Sequence, residues 1–258
     1  GDGSDDVLWN ARGDTNRIFL AGSNGDGTFE FLDEAPHPVP SWGPEWSVHT
    51  GDFDGDSIAD LAWSALGVDN LTYIALSNGD GTFEFLDMMT HPNNGWGSYT
   101  LYIADVDNDQ RDDLVWNVAT DGNSNRTYVG RSLGDGTFDL LPYQDRGSEW
   151  NNYVTRVGDI NRDGYADLLW VNTAGAKLAI HRAFGRSDAT FAFPGYQSVN
   201  DPDGAGPLDT FVGDFNNDGS TDILWNDLSQ NRNHVYVGLG NEAGTFDFTP
   251  IDQEHPAT

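Results

Sequence analysis

Four segments of this chain can be laid over one another almost letter for letter: residues 51–63 (GDFDGDSIADLAW), 104–116 (ADVDNDQRDDLVW), 158–170 (GDINRDGYADLLW) and 213–225 (GDFNNDGSTDILW). They recur about every 54 residues, and a shortened copy, DGSDDVLW, occupies residues 2–9. A second element lies between them, as NGDGTFEF at 24–31 and 78–85, GDGTFDL at 134–140 and AGTFDF at 243–248; the fourth unit keeps only DATFAF at 188–193. A unit of this length cannot bury an apolar face alone, so neighbouring copies must complete one another's core. That requirement narrows the chain to a solenoid or a propeller.

Each unit reads as four strands. A short apolar run (99–103, 153–157, 210–212) leads into the acidic segment, and Asp-Leu-Leu-Trp or a close variant follows it. A third run alternates at 71–76, 126–129 and 234–237, then Gly-Asp-Gly supplies residues tolerant of positive φ for a tight hairpin, and Thr-Phe-x-Phe forms the last strand. Four strands per repeat predict an all-β β-propeller of four-stranded blades, five of them visible, at 1–46, 47–99, 100–153, 154–208 and 209–258 within one domain. Two arrangements satisfy the count: a ring of these five blades, or five blades of a larger, seven-bladed propeller. The 31 Gly, 11 Pro and 32 aromatic residues suit short strands and tight turns, and almost no helix is expected.

The acidic segments carry the chemistry. The pattern Asp-x-Asp/Asn-x-Asp-Gly-x-x-Asp sets oxygen side chains at loop positions 1, 3, 5 and 9, with a backbone carbonyl available at position 7. Alternate residues of a tight loop converge on one point if the chain bends sharply near position 6, and a hard cation takes six to eight such oxygens. The side-chain ligands for Ca²⁺ are then Asp52, Asp54, Asp56 and Asp60; Asp105, Asp107, Asp109 and Asp113; Asp159, Asn161, Asp163 and Asp167; Asp214, Asn216, Asp218 and Asp222. Gly164 and Gly219 stand at the bend, whereas Ser57 and Gln110 replace glycine in the other two loops. Any single copy reads equally well as an acidic turn facing water; four in register make the cation the expectation.

Composition removes several classes. With 42 acidic against 12 basic residues and a net charge of -30, nucleic acid is excluded as a partner, because its backbone is held by Lys and Arg. No run approaches the length of a membrane span, so no membrane insertion is expected, and the opening residues lack the regions of a signal peptide. Cysteine is absent, so neither disulfides nor thiolate sites brace the fold. Four bound divalent cations would leave the net charge near -22 and would act as the missing cross-links.

These loops resemble the FG-GAP or VCBS repeats of integrin α-subunit propellers and of secreted proteins that include propeller lectins, over nearly the whole chain. The resemblance implies Ca²⁺ bound in the hairpin between the first two strands of a blade, an extracellular or cell-surface location, and binding rather than catalysis. Two departures stand out: the first loop lacks its first half, and the fourth unit has lost its Gly-Asp-Gly turn.

Among other candidates, Trp9, Trp63, Trp116, Trp170 and Trp225 close the second strand of each unit and read as core. Trp42, Trp96 and Trp150 lie among Gly, Asn and Ser in the connection before each acidic loop, where a flat ring beside hydrogen-bonding groups suits a sugar, or plugs a blade interface. His37 and His91 recur in a His-Pro step of the same connection and join the candidate ligand set. Asn70-Leu71-Thr72 and Asn125-Arg126-Thr127 spell N-glycosylation sequons at one repeat position, expected in surface loops. No nucleophile motif appears. The leading expectation is a multivalent carbohydrate-binding module with glycans or extracellular glycoproteins as partners. Its alternatives are a propeller belonging to a polysaccharide-degrading enzyme and a structural adhesion module.

Overall fold

The computed structural model describes residues 4–11, 17–32, 34–36, 46–65, 70–91, 99–118, 125–147, 153–172, 177–200, 209–227 and 234–249. Among them there is no helix, and the strands fall into five sheets that follow the repeat. The first holds β1 (Val7–Ala11), β2 (Arg17–Ser23), β3 (Phe29–Phe31) and β4 (Ala35–Pro36), in the order β1-β2-β3 with β4 also on β2. The second orders β5 (Trp46–Gly51), β6 (Asp60–Ala65), β7 (Leu71–Ser77) and β8 (Phe83–Phe85), with β9 (Met89–Thr90) beside β7. The third repeats this with β10 (Thr100–Ala104), β11 (Asp113–Val118), β12 (Arg126–Ser132) and β13 (Phe138–Leu140), with β14 (Gln144–Asp145) on β12. The fourth is β15 (Tyr153–Gly158), β16 (Asp167–Asn172), β17 (Lys177–Gly185) and β18 (Phe191–Asn200); the fifth is β19 (Asp209–Gly213), β20 (Asp222–Asp227), β21 (His234–Gly240) and β22 (Phe246–Thr249). Consecutive strands pair antiparallel, as in Val48↔Trp63↔Tyr73 and Thr155↔Trp170↔His181. Each sheet is a propeller blade.

The chain divides into two compact units, Gly1–Ile103 with Gln110–Leu114 and Gly130–Asp139, and Ala104–Asp109 with Val115–Val129 and Leu140–Thr258. In the first, Leu61, Trp63, Ala65, Tyr73 and Ala75 of the second blade bury themselves with Ile18, while Leu8 and Leu20 pack alongside. In the second, Leu169, Val171 and Ile180 of the fourth blade cluster with Ile223, Trp225, Tyr236 and Phe246 of the fifth. One face of a blade therefore completes the core of the next, as the period requires. Trp63, Trp116, Trp170 and Trp225 are essentially fully buried, and truncating such a ring costs about 3–5 kcal/mol. Two of their indole N–H groups find an acceptor in the preceding blade: Trp63 Nε1 donates to Asn10 Oδ1 (3.3 Å) and Trp170 Nε1 to Asn117 Oδ1 (2.9 Å). Trp9 differs from the other four, being 46% exposed with its ring stacked on Phe31.

The hairpin between third and fourth strands shows what its Asp does. Thr28, Thr82 and Thr137 donate both N–H and hydroxyl to Oδ1 of Asp26, Asp80 and Asp135, and this bonding holds each carboxyl below its usual range. In the fourth blade Asp188 and Thr190 keep that bond without the glycines, since Ala189 itself takes φ 56°.

The structure corrects the expectation for the sequons. Asn70, Thr72, Asn125 and Thr127 are all buried, and Asn125 Oδ1 accepts Asn117 Nδ2 at 3.0 Å. An asparagine enclosed in this way offers no acceptor amide to a glycosylating enzyme in the folded protein.

Candidate metal centres

The acidic loops join the first two strands of the second to fifth blades. The leading carboxylate gathers its own loop: Asp52 accepts Gly55 N–H and Ser57 N–H, Asp159 accepts Asp163 and Gly164, and Asp214 accepts Asp218 and Gly219, at 2.8–3.2 Å. Asp105 accepts Asp109 N–H at 3.1 Å. These bonds require two left-handed residues, one at position 4 and one at position 6. Position 4 is Gly55 (φ 82°), Asn108 (57°), Arg162 (61°) and Asn217 (57°), and position 6 is Ser57 (68°), Gln110 (69°), Gly164 (87°) and Gly219 (88°). Five of the eight are not glycine, and each of those costs on the order of 1 kcal/mol. The loop conformation is thus held against a backbone penalty.

Its product is a convergence of oxygens. Carboxylate atoms of Asp52, Asp54 and Asp56 lie within 4.8 Å of one another, and so do those of Asp105, Asp107 and Asp109. In the later two loops the third position is an amide, and Asn161 Nδ2 and Asn216 Nδ2 turn to Asp163 Oδ2 and Asp218 Oδ2, both at 2.9 Å. Arg162 also reaches Asp218 Oδ2 at 2.6 Å.

The ninth position does more than the sequence shows. Asp60, Asp113, Asp167 and Asp222 have no exposed surface. Asp60 accepts Phe53 N–H (2.8 Å) and Ser77 N–H (2.8 Å); Asp167 accepts Ile160 (3.0 Å) and Gly185 (2.8 Å); Asp222 accepts Phe215 (2.9 Å) and Gly240 (2.8 Å). Asp113 accepts Ser132 N–H at 2.8 Å. Each ties the start of its loop or the end of the third strand to the second strand, and lone pairs remain for a further partner. Burial pushes the Asp60 carboxyl up to about 6 and Asp167 to about 7, with the loop's other carboxylates adding to the rise. Asp54 also moves up, through burial and then the charges of Asp56 and Asp52. Asp218 moves down, chiefly through the Ser220 N–H and then through Asn216 and Arg162.

Half-buried, mutually repelling carboxylates that converge in the first two of these loops, each loop also carrying a buried Asp, fit a hard divalent cation: the donors are all oxygen, and a positive charge there would reverse the cause of the raised values. Successive loops are also joined by backbone. Asp112 N–H donates to Asp52 O, Ala166 to Asp105 O and Thr221 to Asp159 O, at 2.6–2.9 Å, always from position 8 to position 1 of the loop before. Neither these bonds nor the role of Arg162 had a sequence signal.

A family model described as an FG-GAP-like repeat matches residues 1–63 and 64–116. Residues 1–116 are thus FG-GAP-like repeats. Mouse integrin alpha-8 is 28% identical over 136 residues, covering 48% of this chain and 13% of the integrin. Among solved structures, rhamnogalacturonan lyase YesW matches at TM-score 0.48 and 14% identity, covering 94% of this chain and 59% of that one. Bacillus licheniformis rhamnogalacturonan lyase PL11 matches at 0.47 and 12%, covering 92% and 51%. The chain spans about half the length of such enzymes and a small part of the integrin. No helix among its described residues is long and apolar enough to cross a membrane.

Of the candidate sugar-site residues, Trp42, Trp96, Trp150 and His37 lie outside the described residues. His91 is placed inside the second blade, 2% exposed, with Nε2 2.8 Å from Thr72 Oγ1 and its N–H on Asn70 O. Burial drives its pKa down to about 4.

Proposed function

We propose that this FG-GAP propeller is a calcium-stabilised, extracellular carbohydrate-binding module. The observation that carries the calcium reading is the fourfold recurrence of one loop backbone with a buried Asp at position 9, two copies of which bring the carboxylates of positions 1, 3 and 5 within 4.8 Å of one another. Residues 52, 54, 56 and 60, and their counterparts from 105, 159 and 214, would hold the ion. Calcium supplies the charge that cancels their repulsion and fastens the first strand of each blade to the second. The sugar reading is supported by Trp42, Trp96 and Trp150, which repeat among small polar residues and so offer several equivalent weak sites that a glycan-coated surface would engage together.

The test has two arms. Chelation by EDTA is expected to lower the melting temperature by well over ten degrees, on the order of 3 kcal/mol being lost per saturated site and a few degrees per kcal/mol for a chain of this size. An unchanged melting curve sinks the calcium reading. Changing Trp42, Trp96 and Trp150 together to Ala is expected to abolish binding on a glycan array, and retained binding sinks the sugar reading.

A further inference from the structure

The fourth blade breaks the repeat in one place. Across the second and third strands, Trp63 faces Tyr73 and Trp225 faces Tyr236, whereas Trp170 faces His181. The fourth strand departs too. Where β3, β8, β13 and β22 run for three or four residues, β18 continues from Phe191 to Asn200, with a register shift between Arg182 and Phe184 of its partner β17. That extension sets Tyr196 opposite His181.

The three rings form a small aromatic stack. Tyr196 lies on His181 with centroids 5.1 Å apart and planes at 28°, and Tyr153 meets the imidazole edge-on at 5.4 Å, its hydroxyl 3.3 Å from Nε2. One face of Tyr196 is covered by the imidazole, yet the residue is 62% exposed, so its other face looks outward. An amphipathic ring held rigidly by a neighbour, with a phenol and an imidazole beside it, is the kind of platform a pyranose stacks on.

Beside it sits a cation that meets no carboxylate among the described residues. Arg146 lies over the Phe193 ring at 3.7 Å, and its charge, after burial, is a cause of the low pKa of His181, about 4. Six other arginines have an oxygen partner: Arg17, Arg126, Arg131 and Arg162 meet carboxylates, and Arg156 and Arg182 reach backbone carbonyls. Among the described residues no carboxylate or carbonyl takes the Arg146 guanidinium. A half-buried guanidinium that meets no carboxylate among the described residues is placed to take an anion from outside.

We infer that Tyr196, His181, Tyr153 and Arg146 form a single site for an acidic sugar, a pyranose ring carrying a carboxylate. The ring stacks on the outward face of Tyr196, the neutral imidazole and the phenol hydrogen-bond its hydroxyls, and Arg146 takes the carboxylate in a planar fork. The net charge of the chain disfavours anions at long range, but screening confines that field to about 8 Å at physiological ionic strength, leaving the local guanidinium to decide. This site rests on the reading of the module as a sugar binder and stands apart from the repeated tryptophans.

The experiment is calorimetric titration at physiological ionic strength with trigalacturonate, sialyllactose, and the neutral sugars maltotriose and lactose. At least one acidic sugar is expected to bind more tightly than both neutral ones, and which acid binds identifies its source. Arg146→Gln is expected to lose roughly tenfold or more in affinity for that acid while leaving neutral sugars as they were, and Tyr196→Ala to weaken both kinds. Both side chains lie at the surface, and an unchanged melting temperature verifies that each variant is folded. Equal binding of acidic sugar by Arg146→Gln and the parent overturns the site. If Arg146→Gln and Tyr196→Ala bind as the parent does while the triple tryptophan variant binds nothing, this site falls and the sugar-binding reading stands; if no sugar binds the parent, both fall.

Discussion

The loops at 52–60 and 105–113 differ from those at 159–167 and 214–222 in two letters, and the differences act in opposite directions. The first pair carry Asp at position 3 and force Ser57 or Gln110 into a left-handed conformation at position 6; the second carry Asn161 or Asn216 and relax the bend with Gly164 or Gly219. In the first pair three carboxylates face one another with their oxygens within 4.8 Å, and Asp54 is pushed up by burial and then by the charges of Asp56 and Asp52. In the last loop Asp218 moves down, first through the Ser220 N–H and then through an amide and a guanidinium that lean on it. One motif therefore exists in two grades: a highly charged, strained form that depends on an external cation, and a softer form that carries part of its own counter-charge.

The largest effect should be common to both grades. Replacing Asp60 or Asp222 by Ala removes a buried acceptor of two backbone N–H groups, each costing about 1–3 kcal/mol when left unpaired, so a loss on the order of 3 kcal/mol or more is expected in urea titrations whether or not calcium is present. If EDTA erases the difference between variant and parent, the ninth residue is a metal ligand alone and not a strut.

Acid should separate the loops from the rest of the protein. His91 and His181 have folded pKa values near 4, below the ordinary 6.5, so the stability they contribute is complete above 6.5 and is lost as pH falls through about 4. Asp60 and Asp167, raised from 3.8 to about 6 and 7 without metal, act with the opposite sign: their contribution is complete below 3.8 and is lost as pH rises through those values. In EDTA the two trends offset each other between pH 6.5 and 4. With calcium bound, the carboxylates are held ionised and proton competition adds to the histidine loss. Melting temperature should therefore fall more steeply with acid in calcium than in EDTA, and parallel curves would show that the loops take no part.

The smallest effect is the most direct probe of the comparison. Asp54→Asn should raise stability in EDTA by up to about 1 kcal/mol and weaken calcium binding, whereas Asn216→Asp should do the reverse on both counts. Matching signs in thermal melts of the two variants would mean that the loops are of one grade after all.

Much of this was legible beforehand. The period, the order of strands and the identity of the loop oxygens follow from letters that recur, since a buried indole or a convergent carboxylate restricts residue type. Left-handed backbone at position 4 was overlooked although Gly55, Asn108 and Asn217 are residue types that favour it; Arg162 alone of the four gave no such signal. Nor does sequence separate a ligand carboxylate from a backbone strut, as Asp60 shows by being able to serve as both. Asn70 was misread as a surface group because polarity was taken for exposure; it sits inside, and so does His91, whose Nε2 lies 2.8 Å from Thr72 Oγ1. Position 196 was invisible for another reason: only the unbroken length of β18 brings Tyr196 to His181.

The bonds from Asp112 to Asp52, Ala166 to Asp105 and Thr221 to Asp159 have an evolutionary reading. Donor and acceptor occupy fixed places in the same motif and involve only main-chain atoms, so any two copies set in tandem form the joint whatever side chains they bear. A gene that duplicates or deletes one whole unit thus inherits a finished seam, and each copy is free to drift in its side chains, as the fourth has, without unpicking the row.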